Sequence, residues 1–162
     1  MLARGDWMIL VSSCLAGLNV RYNGTHCLDD KIRELIETKQ AVTVCPEILG
    51  GLSTPREPAE IIGGNGGDVL DGKAKVVDQS GNDVTEPFVK GAYTALRTAL
   101  ELDAKVVVLK ENSPSCGSSM IYNGEFTGTK MIGEGVTASL FRRYGIKVIS
   151  EENLADFLDK IK

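Results

Sequence analysis

The chain has 162 residues, 43% hydrophobic and 25% charged, enough for one domain with a real apolar core and too few for two comfortable ones. A formal net charge of -4 and an aromatic content of 6% argue against a protein that grips long nucleic acid by charge or by extended stacking. No apolar run is long enough for a membrane span, and the N-terminus MLARGDWMILVSSC lacks the centre of a secretory leader, so a cytoplasmic protein with neither DNA nor membrane as partner is expected.

Residues 1–7 read as an N-terminal extension, with Met8 an equally good start, and residues 8–162 as the domain. Residues 8–13 predict a short buried strand. A turn-rich polar segment around Asn19–Gly24 follows, and then a helix from about Asp29 to Thr38 with Ile32, Leu35 and Ile36 on one face. Ala41–Cys45 predicts a second strand. Strand, helix and strand in that order form a crossover unit, which makes the two strands parallel neighbours.

Residues 46–83 interrupt the pattern with Pro46, Pro55, Pro58 and the run Gly63–Gly67, and carry no helical period. Glu60–Ile62 and Lys75–Asp78 are expected to pair as an antiparallel hairpin with the glycines at a mobile tip, a functional excursion at the wall of a site. Thr85 is a candidate N-cap for a helix to about Leu102, followed by a valine-rich central strand at Lys105–Lys110. A hairpin near Asn123-Gly124, a helix opening at Gly133-Glu-Gly-Val-Thr, a strand at Ile146–Ile149 and a last helix capped by Ser150 complete the chain. The expected fold is α/β: one domain with a Rossmann-like, mainly parallel sheet flanked by helices and an inserted hairpin and loop excursion.

Three of the four cysteines stand where a predicted strand gives way to a loop: Cys14, Cys45 and Cys116. Loops at the carboxyl ends of parallel strands gather around one crevice, so these thiols are expected to converge despite their separation in sequence. In a reducing compartment a metal or catalytic use is favoured over structural disulfides, with small buried hydrophobes as the plain alternative. Thiolates suit zinc or an iron-sulfur cluster, and the absence of a close C-x-x-C pair argues against structural zinc. Three ligands suggest an open site. Cys27, at a predicted helix entrance, is expected to stay outside it, and His26 has no identified partner.

Glu47, two positions after Cys45, could serve as a general base in the same crevice, and Pro46 stiffens the link between them. Ser113 and Ser115 flank Pro114 just before Cys116 and could orient a water or donate to a substrate. Either could equally satisfy turn backbone. Arg56 could fork onto a substrate carbonyl or phosphate, or pair with Glu57 or Glu60. The helix start at Gly133–Thr137 has the form of a weak anion cradle, with Gly135 at its mouth. It lacks a dinucleotide fingerprint.

The segments Ser13-Cys14-Leu15-Ala16-Gly17, Arg21-Tyr22-Asn23-Gly24, Cys45-Pro46-Glu47, Gly50–Arg56, Lys110–Gly117 and Gly135-Val136-Thr137-Ala138 together resemble the thiouracil desulfidase family, across roughly residues 8–150. The resemblance implies a 4Fe-4S cluster bound by Cys14, Cys45 and Cys116, with Glu47 and Ser113 at catalytic positions, and Arg56, Ser115 and Gly135 are assigned to substrate binding. The activity it implies is hydrolytic and non-redox: a thiolated pyrimidine, as free base or nucleotide, becomes uracil with release of hydrosulfide. Thiolated RNA stays open as a substrate, and the sequence does not address oligomeric state. The rival reading is a non-enzymatic iron-sulfur or metal-binding module acting as a redox or sulfide sensor. A third is a nucleotide-binding α/β domain with incidental cysteines.

Overall fold

The computed structural model describes residues 8–13, 30–38, 40–53, 56–154 and 156–157. Its elements in chain order are β1 (Ile9–Ser12), α1 (Asp30–Glu37), β2 (Ala41–Val44), α2 (Pro46–Leu49), β3 (Ala59–Ile62), α3 (Gly66–Leu70), β4 (Lys75–Asp78), α4 (Thr85–Glu101), β5 (Val106–Leu109), β6 (Met120–Tyr122), β7 (Lys130–Ile132), α5 (Val136–Arg143) and β8 (Lys147–Ser150), followed by a 3-10 turn at Glu151–Asn153.

Side chains on a strand alternate between faces, so an unbroken aliphatic run such as Val106–Leu109 needs an apolar layer on both sides. The central sheet supplies this. Its order is β2-β1-β5-β8, every pair parallel, with Ile9 opposite both Ala41 and Val106. Leu10, Val107 and Leu109 enter one core with Phe88, Ala92, Leu96, Leu140 and Phe141, from α4 and α5. Ile9, Val11, Val106 and Val108 enter a second core on the opposite face, with Leu35 of α1, Ile149 and Leu154. The expected parallel α/β fold is what the chain adopts. Among the described residues no helix is long and apolar enough to cross a membrane.

The order of the strands decides where a ligand can sit. From β1 the chain crosses to β2 on one side, and it returns to β5 on the other. That change of direction puts the topological switch point of the sheet between β1 and β5, and ligands of such sheets bind at the carboxyl edge there.

The excursion between β2 and α4 is more regular than its sequence suggested. β3 and β4 pair antiparallel as expected, with Glu60 opposite Val77. The glycine run is not a hairpin tip: Gly66–Leu70 is helical, and Asn65 is its cap. The Asn65 side chain accepts the Asp68 amide at 3.2 Å while Asp68 Oδ2 accepts the Asn65 amide at 3.0 Å, a capping box that offsets the poor helix propensity of glycine. A second unpredicted helix is α2, which begins at Pro46, where a proline costs no hydrogen bond.

Smaller differences lie at the ends of other elements. Val84 is the N-cap of α4, and Thr85 instead uses its hydroxyl to accept the Val76 amide at 2.9 Å, tying the helix to β4. The β6–β7 hairpin has a long loop, closed by the Asn123 amide donating to the Thr129 carbonyl at 2.9 Å, in place of a tight Asn-Gly turn. Ser150 caps the 3-10 turn by accepting the Glu152 amide at 3.2 Å. The part of the expected last helix beyond residue 157 lies outside the described residues.

Candidate functional site

A cavity of about 390 Å³ opens at the carboxyl edge of the sheet. Ser12 reaches it from the end of β1, Cys45 to Glu47 from the end of β2, and Lys110 to Pro114 with Cys116 from the loop after β5. Arg56, Glu57 and Glu60 come from the excursion. Five predicted site residues, Cys45, Cys116, Glu47, Arg56 and Ser113, thus share one wall system. Cys14 lies outside the described residues, as do Cys27 and His26.

Cys45 is the N-cap of α2, whose first turn carries Glu47. The helix is held in place by an unusually close approach of backbones. A Cβ on Gly91 of α4 would lie 1.8 Å from the Pro46 carbonyl oxygen, and one on Gly50 would lie 1.9 Å from that of Pro87. Only glycine at both positions lets α2 seat directly on α4, and this contact sets where Cys45 and Glu47 stand. Gly91 was not singled out in the sequence, where it is one small residue on an otherwise ordinary amphipathic helix.

Glu47 forms an ion pair with Arg56 through Oε2, with the Arg56 side chain only 9% exposed. Neither Glu57 nor Glu60, the partners considered from sequence, takes that role. Arg56 also donates to the Ser53 carbonyl at 3.0 Å, which braces the guanidinium from a second direction. Among the described residues the second carboxylate oxygen of Glu47, Oε1, is not engaged. The carboxylate is oriented yet retains an acceptor.

The Cys116 loop is fixed from three sides. Ser113 Oγ accepts the amides of Ser115 at 3.0 Å and Cys116 at 3.1 Å. A hydroxyl has two acceptor positions and one donor, so what Ser113 still offers the cavity is its proton. The first amides of α5 close on the same loop: Val136 donates to the Pro114 carbonyl and Thr137 to that of Ser115, each at 2.8 Å. These bonds occupy the amides that would have formed an anion cradle, and the helix start serves as a socket for the loop instead.

Ser115 is fully buried and its hydroxyl meets that of Thr137 at 2.7 Å. Gly135 lies against it, since a Cβ there would stand 2.4 Å from the Ser115 carbonyl oxygen. Neither is among the residues lining the cavity, and both hold the loop from behind.

The third support is Glu111, which was not singled out as a site residue. Its carboxylate is 6% exposed and accepts the amides of Ser118, Ser119 and Met120 at 2.8, 3.1 and 3.1 Å, along with both serine hydroxyls. Burial pushes its pKa upward, but the hydroxyl of Ser118 and the amides more than offset this, and the carboxyl is held below the usual glutamate range. The cysteine loop is wrapped around this anion. A sequence signal existed in the serine pair Ser118-Ser119, a donor-rich turn seven residues downstream of Glu111.

Cys45 is half-buried and Cys116 is buried. Burial pushes the Cys45 thiol up, and the nearby Glu47 carboxylate adds to this against the opposing Ile48 amide. A thiol kept neutral by its surroundings becomes a thiolate when a cation binds, and two cysteine sulfurs on one cavity fit a soft metal or an iron-sulfur cluster. With Cys14 outside the described residues, no group of three metal-holding side chains is complete among them.

A parallel sheet with a switch-point cavity, walled by two strand-end thiols, a paired carboxylate and a donor hydroxyl, defines a class of α/β protein with soft donors and acid-base groups facing one small-molecule cavity. Residues 9–153 match the sequence model of the 2-thiouracil desulfurase family, most of the chain, and the chain belongs to that family. A relative from Bacillus subtilis (strain 168), named Uncharacterized protein YbbK, is 60% identical over 151 residues that span 93% of this chain and 100% of the relative. A solved structure of TudS, described as a 4Fe-4S-dependent thiouracil desulfidase, superposes with a TM-score of 0.84 at 43% identity, covering 96% of this chain and 97% of that one.

Proposed function

We propose that this protein is a 4Fe-4S-dependent desulfidase that hydrolyses a thiolated uracil, as free base or nucleotide, to uracil and hydrosulfide in the cytoplasm. The observation that carries this reading is the presence of Cys45, Cys116, Glu47 and Ser113 on one cavity at the switch point of the sheet, in a chain similar to a thiouracil desulfidase over nearly its whole length. Cys14, Cys45 and Cys116 would hold the cluster. Held by three thiolates, such a cluster supplies one iron without a protein ligand as a Lewis acid for the soft thiocarbonyl sulfur.

The chain's own residues supply the rest. Glu47, with Oε2 engaged by Arg56, accepts the proton of the attacking water at Oε1. Arg56 fixes the direction of that carboxylate, so the water is presented from one side of the ring carbon. Ser113, whose oxygen already accepts two loop amides, donates its hydroxyl proton to the substrate. The apolar walls formed by the buried Pro46 and Phe88 and the half-buried Leu52 and Val84 limit solvent around the reacting carbon. Water supplies the oxygen, sulfur leaves as hydrosulfide, and no electrons are exchanged.

Anaerobically reconstituted protein incubated with 4-thiouracil or its nucleotide should release uracil product and hydrosulfide in equal amounts. Cluster-loaded protein that turns over no thiolated pyrimidine would instead support the sensor reading.

A further inference from the structure

Among the described residues three aromatic side chains line the cavity: Phe88, Tyr122 and Phe126. Phe88 is 2% exposed and belongs to the core beneath α4. Tyr122 ends β6, and Nζ of its cross-strand partner Lys130 lies 6.0 Å from the ring centroid, so a cation already occupies one of its faces. Phe126 is different. It stands in the loop between β6 and β7, half-buried, with a backbone φ of 57°.

A bulky residue seldom adopts that conformation, and it persists only where the surroundings determine it, as at active sites, ligand clamps and switch regions. Here the surroundings are explicit. Glu60 on β3, 8% exposed, points Oε1 at the loop and accepts the Gly124 amide at 2.9 Å and the Phe126 amide at 3.3 Å. Gly124 packs so tightly on β3 that a Cβ would fall 2.6 Å from the Ile61 carbonyl oxygen. The Asn123 carboxamide accepts the Glu125 amide at 3.1 Å and closes the turn from within. A buried carboxylate on one hairpin therefore locks the loop of another, and the result is an aromatic ring at the cavity wall.

We propose that Phe126 recognises the planar heteroaromatic ring of the substrate by stacking on it, and that Glu60 is the positioning residue that holds Phe126 at the cavity. The identity of that ring rests on the desulfidase reading; the clamp does not. Stacking needs only a π face and tolerates the pattern of ring substituents, so this residue selects aromatic over saturated rings and leaves the choice of thiolated position to other groups.

The test is equilibrium binding to the cluster-loaded protein of uracil, which is not consumed, against 5,6-dihydrouracil, which has no aromatic ring. Phe126→Leu is expected to weaken uracil binding about 5- to 100-fold, the usual range for loss of one stacking partner, with dihydrouracil nearly unaffected. Phe126→Trp should retain uracil. Glu60→Met should reproduce the Leu phenotype and add nothing to it in the double variant, and Glu60→Gln, which keeps an acceptor oxygen, should restore binding. Iron per chain should be the same throughout. Uracil affinity unchanged in Phe126→Leu, equal loss of both ligands, or a wild type that binds no uracil would each overturn the proposal. Selective loss of uracil in a protein that releases no hydrosulfide would leave ring recognition standing and remove the desulfidase reading.

Discussion

Glu47 and Arg56, nine residues apart in sequence, meet in an ion pair at the cavity wall that joins the first turn of α2 to the segment leading into β3. The pairing links a carboxylate that acts on the Cys45 thiol to a segment that walls the cavity. It also engages one carboxylate oxygen and leaves the other, which is the arrangement a positioned proton acceptor requires.

Glu47→Gln keeps the size of the side chain and an oxygen for Arg56 but removes basicity. The variant should load the cluster normally, bind a thiouracil compound, and release hydrosulfide about 10²- to 10⁴-fold more slowly. Paired assays of uracil and hydrosulfide under anaerobic conditions measure this. A glutamine variant as active as wild type would remove Glu47 as the base.

Replacing Cys14, Cys45 or Cys116 by serine should abolish the broad visible absorbance of the reconstituted protein and its bound iron, while Cys27→Ser should leave both intact. Iron and sulfide analysis of the four variants decides it. Equal loss in all four would point to a four-cysteine site.

Glu111 predicts an acid limb in the stability curve. Its folded-state pKa lies below the usual value of 4.5, so the carboxylate contributes stability that is fully present above that value and is lost as the pH falls toward the depressed one. Glu111→Gln keeps one acceptor, and the Ser118 and Ser119 hydroxyls can turn to accept from the new amide. The cost should be about 1–3 kcal/mol near neutral pH, with a shallower loss on acidification. Denaturant melts at several pH values report both. An unchanged acid limb would show that the anion is not what the loop is wrapped around.

Gly91→Ala places a methyl group against the Pro46 carbonyl at the tightest contact between α2 and α4. Overpacking of this kind typically costs about 1–3 kcal/mol, here expected as a melting temperature lower by several degrees. Turnover should fall as well, because the helix that must shift carries Glu47. Alanine at Tyr93, an exposed position on the same helix, should change neither.

The strands were legible because a sheet covered on both faces demands unbroken aliphatic runs, and Val106–Leu109 allows no other use. Strand-end cysteines likewise announced the crevice, since the position of a residue just past a parallel strand fixes which edge of the sheet it reaches. Two short helices were missed although their signals were present, Pro46 at a first turn and Asn65 three residues before Asp68, because the glycines around them lower helix propensity and only the local caps reverse that.

What the amino-acid order determined by itself was everything set by period and by the ends of elements: the parallel sheet, the carboxyl edge, and the placement there of Cys45, Glu47, Ser113 and Cys116. The tertiary structure alone decided the partners. That Arg56 meets Glu47 and not Glu57, that Gly91 admits Pro46, that α5 spends its first amides on Pro114 and Ser115, and that Glu60 holds Phe126 are contacts between segments with no shared periodicity. They arise from packing, in which the identity of a neighbour depends on how every other element has already been placed.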